Sequence, residues 1–491
     1  MFKRFTFEWL KFWVGGGGIS VKTGRIFVLC AVVGVASGLA ASGFYWLLDV
    51  SRHYLMESLG NLYSIPVAGE RSCFPEVKDP GEPIRWMLVI LPIFGGVISS
   101  ILIKWFAPDA AGHGTDSCIF SFHHKEGDMS WKIIPVKAVS SSIVIGSGGS
   151  AGSEGPITQI AGACGSLLGN LFHVKAAERR VLMVAGLSAG VGAIFRAPLA
   201  GALFGAEILY SGLDIEYEVV IQSLMASTIA YAIFCFFFGW QSFFAMPDWG
   251  FDNPIKLVLF VLLALVVSLG AKLYILIFRK TEQAFRRWDM PDWLKPGFGG
   301  LVTGIIGYFV PEILGAGYGV IQGALVVDSP LVNQYGAMTL GTLLLIFLGK
   351  IVATSFTVGS GASGGLFGPA LVSGSTLGAA FGLVMQKIFP MIGIHPGAFA
   401  LVGMAGFLAA TVRTPLAAII MVSEISGNHQ LLLPTMWVCG MTYWLGNGWT
   451  IYRSQVLTRD RSPAHTRGWG ARFAVRRICR TTERAALPAH T

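Results

Sequence analysis

Charge is what this chain has least of. Asp, Glu, Lys and Arg together make up 13% of its 491 residues, where a soluble domain carries about 25%, and that scarcity excludes an ordinary water-soluble globule. Acid is scarcer than base: 27 Asp and Glu against 36 Lys and Arg leave a formal charge of +9. Cysteine is also sparse, with 7 residues scattered at positions 30, 73, 118, 164, 235, 439 and 479 and no C-x-x-C. They read as packing residues, not as a disulfide framework or a zinc site. The opening segment MFKRFTFEWLKFW has no apolar core and no small-residue cleavage site, so it is not a removable secretion signal. It reads as an amphipathic helix lying on a cytoplasmic membrane surface.

Apolar residues fill the space that charge leaves. They make up 53% of the chain, with 63 glycines. Seven stretches, Ile26 to Val50, Trp86 to Phe106, Val219 to Trp240, Ile255 to Phe278, Leu340 to Phe356, Ala398 to Val422 and Thr435 to Ile451, are near the ~20 residues that cross a bilayer as a helix. The fold class expected is all-α and polytopic. Other apolar stretches are shorter and broken by Gly and Pro, and broken backbone at membrane depth is tolerated only inside protein or along a cavity. Those interruptions point to a pathway.

Basic residues cluster before the first span (Lys3, Arg4, Lys11, Lys22, Arg25), in the central loop (Arg279, Lys280, Arg286, Arg287) and after the last span, with nine arginines from Arg453 to Arg484. The positive-inside rule makes all three cytoplasmic, and both termini with them. Membrane lipid accounts for the positive charge without nucleic acid. Four segments follow: a cytoplasmic amphipathic helix at 1–25, a first membrane unit at 26–246, a second at 255–451, and a basic cytoplasmic tail at 452–491, disordered or on anionic lipid. His113, His123 and His124 fall close together, but the His pair sits beside Lys125 and Glu126 and reads as a solvated loop, not a metal site.

The stretch IVIGSGGSAGSEGP, from Ile143 to Pro156, imitates a dinucleotide-binding fingerprint, with Gly146, Gly148 and Ala151 in the G-x-G-x-x-A positions. That fold requires a soluble βαβ unit and an acidic residue about twenty positions on; residues 157 to 176 contain neither Asp nor Glu. The motif also recurs. At a shift of 213 residues Gly146, Gly152, Gly155 and Pro156 meet Gly359, Gly365, Gly368 and Pro369, and at a shift of 217 Arg196, Pro198 and Glu207 meet Arg413, Pro415 and Glu424. A fainter pairing joins G-H-G at 112–114 to G-Y-G at 317–319. The chain is two homologous halves. A Gly-rich segment with Pro in the first helical turn is a helix N-terminus, where free N–H groups and the macrodipole favour an anion. Each dipole contributes only ~0.3 to 2 kcal/mol, so two such ends with hydroxyl groups must converge on one anion site, as in transporters built from repeats.

The loops G-S-E-G-P (152–156) and G-L-F-G-P (365–369), the segment R-A-P-L-A-G and the late tyrosine in W-T-I-Y-R-S resemble the CLC family of chloride channels and chloride/proton exchangers, from about residue 26 to residue 457. The resemblance implies two inverted-topology helical repeats with broken, re-entrant helices, and a homodimer with one pore per subunit in a bacterial inner membrane. It implies that Glu154 is the gating glutamate, that Gly155, Gly365, Leu366 and Phe367 supply anion ligands, and that Tyr452 closes the inner end. A carboxylate at a helix N-terminus in an anion pathway competes with chloride when ionised and withdraws when protonated. No catalytic residue, metal or cofactor is expected; chloride is cargo.

Two positions depart from the family pattern. Where the family has G-S-G-I-P, this chain has G-H-G-T-D-S, which puts His113 in the anion-binding serine's place, or else leaves the hydroxyl to Thr115 or Ser117. Family exchangers carry two adjacent glutamates after A-P-L-A-G, the second passing protons inward; here the pair is Glu207 and Ile208. Glu207 and its counterpart Glu424 are expected to be structural, and Ile208 relays nothing. The expectation is a passive or weakly proton-coupled chloride pore; the alternatives are a chloride/proton antiporter or a carrier of another anion such as fluoride or nitrate. The family's C-terminal regulatory domains have no counterpart in the tail, which suits a bacterial-type protein.

Overall fold

The computed structural model describes residues 20–75, 81–247, 249–251, 254–329 and 338–465. The expected N-terminal helix at 1–25 lies outside them apart from its last six positions, which begin the first long helix. Among the described residues the regular structure is helical, and the helices fall into two runs of eight. The first comprises α1 (Ser20–Arg52), α2 (Arg85–Phe106), α3 (Thr115–His124), α4 (Ile133–Gly146), α5 (Glu154–Leu171), α6 (Ala176–Ile194), α7 (Pro198–Glu207) and α8 (Val220–Phe238). The second comprises α9 (Lys256–Arg287), α10 (Lys295–Phe309), α11 (Tyr318–Leu325), α12 (Leu340–Gly359), α13 (Phe367–Ile388), α14 (Pro396–Val412), α15 (Pro415–Ser426) and α16 (Leu432–Leu445). The chain is a polytopic membrane protein: six helical stretches among the described residues are long and apolar enough to cross a bilayer.

The repeat is visible in backbone angles. Gly148 and Gly361 have φ of 99° and 102°, and Arg196 and Arg413 adopt φ of 54° and 67°. A non-glycine residue in that region needs support from its surroundings. Each arginine has it: the Arg196 guanidinium donates to the carbonyls of Gly69, Phe238 and Gln241, and that of Arg413 to those of Ser211 and Tyr443. Each left-handed arginine breaks the chain two residues before a proline opens α7 or α15. The stretch Ala398 to Val422, expected as one span, is therefore two helices. Phe367–Ile388 is a span-length helix that is not among the seven expected spans.

The halves meet reciprocally, as a two-fold relation requires. Glu207 at the end of α7 accepts the N–H groups of Leu416 and Ala417 in the first turn of α15, at 3.1 and 2.9 Å. Glu424 near the end of α15 accepts those of Leu199 and Ala200 in the first turn of α7, at 3.3 and 2.8 Å. Each carboxylate takes orphan donors of the other half and opposes its dipole.

Residues 453–465, expected to begin a free tail, pack back onto the first half. Ser454 donates to Asp116, Arg459 pairs with Glu216 and Glu218 at 2.8 and 2.7 Å, and His465 contacts Glu216 at 2.9 Å. The rest of the tail lies outside the described residues. His123, expected in a solvated loop, ends α3 in the interior, with ring nitrogens against Ser462 Oγ and the Leu209 carbonyl at 2.7 and 2.9 Å.

Candidate anion site

The two Gly-Pro loops touch back to back. Gly152 and Gly365 exchange N–H···O bonds of 2.9 and 2.7 Å, an isolated antiparallel bridge at the pseudo-two-fold axis. Side chains are excluded there. A Cβ on Gly155 would lie 2.1 Å from the His113 carbonyl oxygen, and one on Gly365 2.7 Å from the Gly155 nitrogen. The bridge places the first turns of α5 and α13 beside each other. Pro156 and Pro369 are the third residues of those helices, where an N–H would be orphaned in any case.

Glu154 is the first residue of α5 and is 2% exposed. Its carboxylate reaches across the axis, where Oε2 accepts the N–H of Gly368 at 3.0 Å and Oε1 accepts the hydroxyl of Tyr318. A negative group of the first half thus occupies the N-terminus of a helix of the second. Phe367 opens α13, and its ring lies between those of Phe195 and Phe204 at 5.5 Å from each. Leu366 precedes it, with its carbonyl accepting the Tyr274 hydroxyl at 3.1 Å.

Tyr452 is buried, its hydroxyl paired with the Thr115 side chain and its ring 5.4 Å from that of His113. His113 Nδ1 is a buried atom without a hydrogen-bond partner. Both candidates for the replaced serine are therefore present: Thr115 touches Tyr452, and His113 offers a free ring nitrogen beside it. Ser117 lies farther out, on the wall of a cavity of about 320 Å³ that also includes His113, Glu282, Arg286 and Lys295. This cavity opens on the face where Arg279 donates to Thr450 and Arg453 pairs with Glu282. On the opposite side of the paired loops a second cavity, of about 210 Å³, is lined by Asp49, Arg52, Glu70, Ser153 and Tyr318. Ile208 is buried, and its carbonyl accepts the Gln455 amide at 2.9 Å.

Three participants escaped the sequence reading. Lys137 in α4 and Lys350 in α12 are both fully buried, each gripping two loop carbonyls. Lys137 Nζ donates to Ala110 and Gly112 at 2.9 and 2.5 Å, and Lys350 Nζ to Ile313 and Gly315 at 2.9 and 2.8 Å. They are 213 residues apart, the shift of the Gly-Pro loops, so a lysine recurring in an apolar helix at that shift was the available signal. The third is Tyr318. The fainter pairing of G-H-G with G-Y-G hid it, because the backbone sets a different register: Gly112 and Gly114 (φ 70° and 81°) match Gly315 and Gly317 (φ 62° and 83°). In that register Tyr318 is the counterpart of Thr115, and each opens a short helix, α11 or α3.

Comparison with known proteins gives matches over most of the chain. Residues 95–447 match the profile of the family described as voltage gated chloride channel. The H(+)/Cl(−) exchange transporter ClcA of Yersinia pseudotuberculosis is 32% identical over 424 residues, covering 84% of this chain and 83% of that protein. The crystal structure of a slow cyanobacterial Cl−/H+ antiporter superposes with a TM-score of 0.72 at 25% identity, covering 87% of this chain and 96% of that one. A CLC-type fluoride/proton antiporter gives the same TM-score at 21% identity, covering 90% of this chain and 100% of that one, a likeness of fold alone.

Proposed function

The chain belongs to the voltage gated chloride channel family, and from that premise we propose that it exchanges chloride for protons across a bacterial inner membrane. Glu154 is the group that couples the two ions: it binds the proton, and when ionised it competes with chloride. The observation that carries this reading is the Glu154 carboxylate on the Gly368 N–H, 3.0 Å away. An ionised carboxylate satisfies the N-terminus of α13 as an anion would. Once protonated, it loses the charge that holds it there, and chloride takes the same N–H groups. Proton uptake by Glu154 and chloride occupancy are then alternatives to ionised Glu154, which is a coupling device. Phe367, Leu366, Gly365 and Gly155 contribute backbone to the anion, and Tyr452 and His113 close it off from the basic side.

The passive pore expected from Ile208 gives way to exchange for two reasons. Relatives covering most of the chain are named exchangers, and the passive reading rests on one side chain. Without a carboxylate at position 208, inner protons travel through water to Glu154, a route that makes exchange slow. The basic face, with Arg279, Arg286 and Arg453, is the cytoplasmic one. Two subunits associate in a homodimer, each with its own pathway. The test is a proteoliposome loaded with chloride and diluted into low-chloride buffer with the membrane potential clamped. Chloride leaving should draw protons inward against their gradient; chloride efflux with no proton movement would restore the passive pore.

A further inference from the structure

Both oxygens of the Glu154 carboxylate are occupied, Oε2 by a backbone N–H and Oε1 by a side chain that lines a cavity. That side chain is Tyr318, whose hydroxyl donates to Oε1 and also lies 3.1 Å from Ser153 Oγ. Ser153 and Tyr318 both line the 210 Å³ cavity on the face opposite the basic one, together with Asp49, Arg52 and Glu70. Glu154 is not among the residues lining that cavity. An unbroken O–H···O chain therefore joins the cavity to the buried carboxylate, and Tyr318 is its middle link.

We propose that Tyr318, with Ser153, is the relay that carries protons between the outer cavity and Glu154; this rests on the exchange reading above. A hydronium in the cavity gives a proton to Ser153 Oγ, Ser153 gives its own to the Tyr318 hydroxyl oxygen, and Tyr318 gives its own to Glu154 Oε1. Three O–H bonds break and three form. The net result is one proton moved from water onto the carboxylate, and the reverse sequence returns it. The tyrosine ring is held for this work: Phe243 packs edge-on against it at 5.3 Å and Phe195 at 6.4 Å. The preceding loop is fixed by Lys350, whose Nζ holds the Ile313 and Gly315 carbonyls. The charged groups facing the relay are Lys350 on the protein side and Glu70, Asp49, Arg52 and Glu312 around the cavity, where Arg52 bridges Asp49 and Glu70 at 2.9 Å from each. That cluster places carboxylates at the cavity end of the relay.

The experiment is chloride-driven proton uptake by full-length protein in liposomes, with calorimetric chloride titration of the same preparations. Tyr318→Phe keeps the ring and deletes the hydroxyl, so proton transport should fall by about tenfold or more, on the scale of general acid–base catalysis, while chloride binding is retained or strengthened, because its competitor Glu154 loses one donor. Tyr318→Phe that pumps protons at the wild-type rate overturns the relay. A purely structural role would reduce chloride binding and proton transport together. Should Tyr318→Phe fold poorly, fluorotyrosines at position 318 vary phenol acidity at nearly constant shape: the proton rate should track that acidity, and a flat series overturns the proposal. If wild-type protein moves no protons, the exchange reading itself fails, an outcome distinct from a normal rate in Tyr318→Phe.

Discussion

Glu207 provides a sharp separation between holding the fold and moving protons. Its carboxylate is 5% exposed and accepts the Leu416 and Ala417 N–H groups at 3.1 and 2.9 Å. Replacing it with Ala leaves two first-turn donors of α15 unpaired in the interior. A hydrogen bond to a charged group contributes about 1.5–3 kcal/mol, and the lost charge at the helix N-terminus adds about 0.3–1 kcal/mol. With two such bonds lost, Glu207→Ala should therefore destabilise by about 3–7 kcal/mol. Glu207→Gln retains one acceptor but turns an NH₂ group toward the other donor, and should cost about half as much. Glu424→Ala should cost less than Glu207→Ala, because Glu424 is half-buried and one of its bonds is 3.3 Å long. Denaturation of purified protein in detergent, followed by tryptophan fluorescence, gives the ranking. Transport per folded molecule should stay at the wild-type level in Glu207→Gln. Unchanged stability with proton movement abolished in that variant would refute the capping argument and make Glu207 a relay.

Three further outcomes follow from the geometry. Tyr452→Ala, His113→Ala and Phe367→Pro each remove one donor from the inner part of the site, and each should weaken chloride binding by roughly 1–3 kcal/mol in calorimetric titration. Lys350→Met should impair the site through the α11 loop: two carbonyls lose their donor, so amide exchange should rise at residues 313–318 before it does in α13. Glu216 governs the attachment of residues 453–465. Burial pushes its carboxyl up, but hydrogen bonds from His465 and Tyr210 and the charge of Arg459 outweigh that and hold it below the usual carboxylate range. A depressed folded value means that the stabilisation is present above the unfolded value of about 4.3 and lost as pH falls through the folded one. Hydrogen exchange in 453–465 should thus stay slow at neutral pH and rise only in strong acid; loosening already near neutrality would contradict the sign.

Much of the architecture was legible because glycine and proline report backbone directly. Gly146 to Pro156 and Gly359 to Pro369 gave the two helix starts, once the shift was seen. The Ala398 to Val422 break was missed because hydropathy is blind to a single left-handed residue, Arg413, inside an apolar run. Lys137 and Lys350 were missed because lysines in an apolar helix look like topology signals until the carbonyls that receive them are known. His123 was misplaced because its partners, Leu209 and Ser462, are distant in sequence. Tyr318 was hidden by register: two overlapping G-x-G triplets, 315–317 and 317–319, fit the same pattern, and only backbone angles choose between them.

The central claim is that the Glu154 carboxylate and chloride take turns at the N-terminus of α13. Chloride titration by calorimetry, on wild type and on Glu154→Gln across about pH 4 to 7, where carboxylates change charge, tests it most directly. The wild type should bind chloride more weakly as pH rises and the carboxylate ionises, whereas Glu154→Gln, a neutral mimic of the protonated side chain, should bind with nearly constant affinity at least equal to the wild type in acid. Glu154→Gln that keeps the wild type's steep pH dependence, or that binds chloride no better than wild type at neutral pH, would contradict the account.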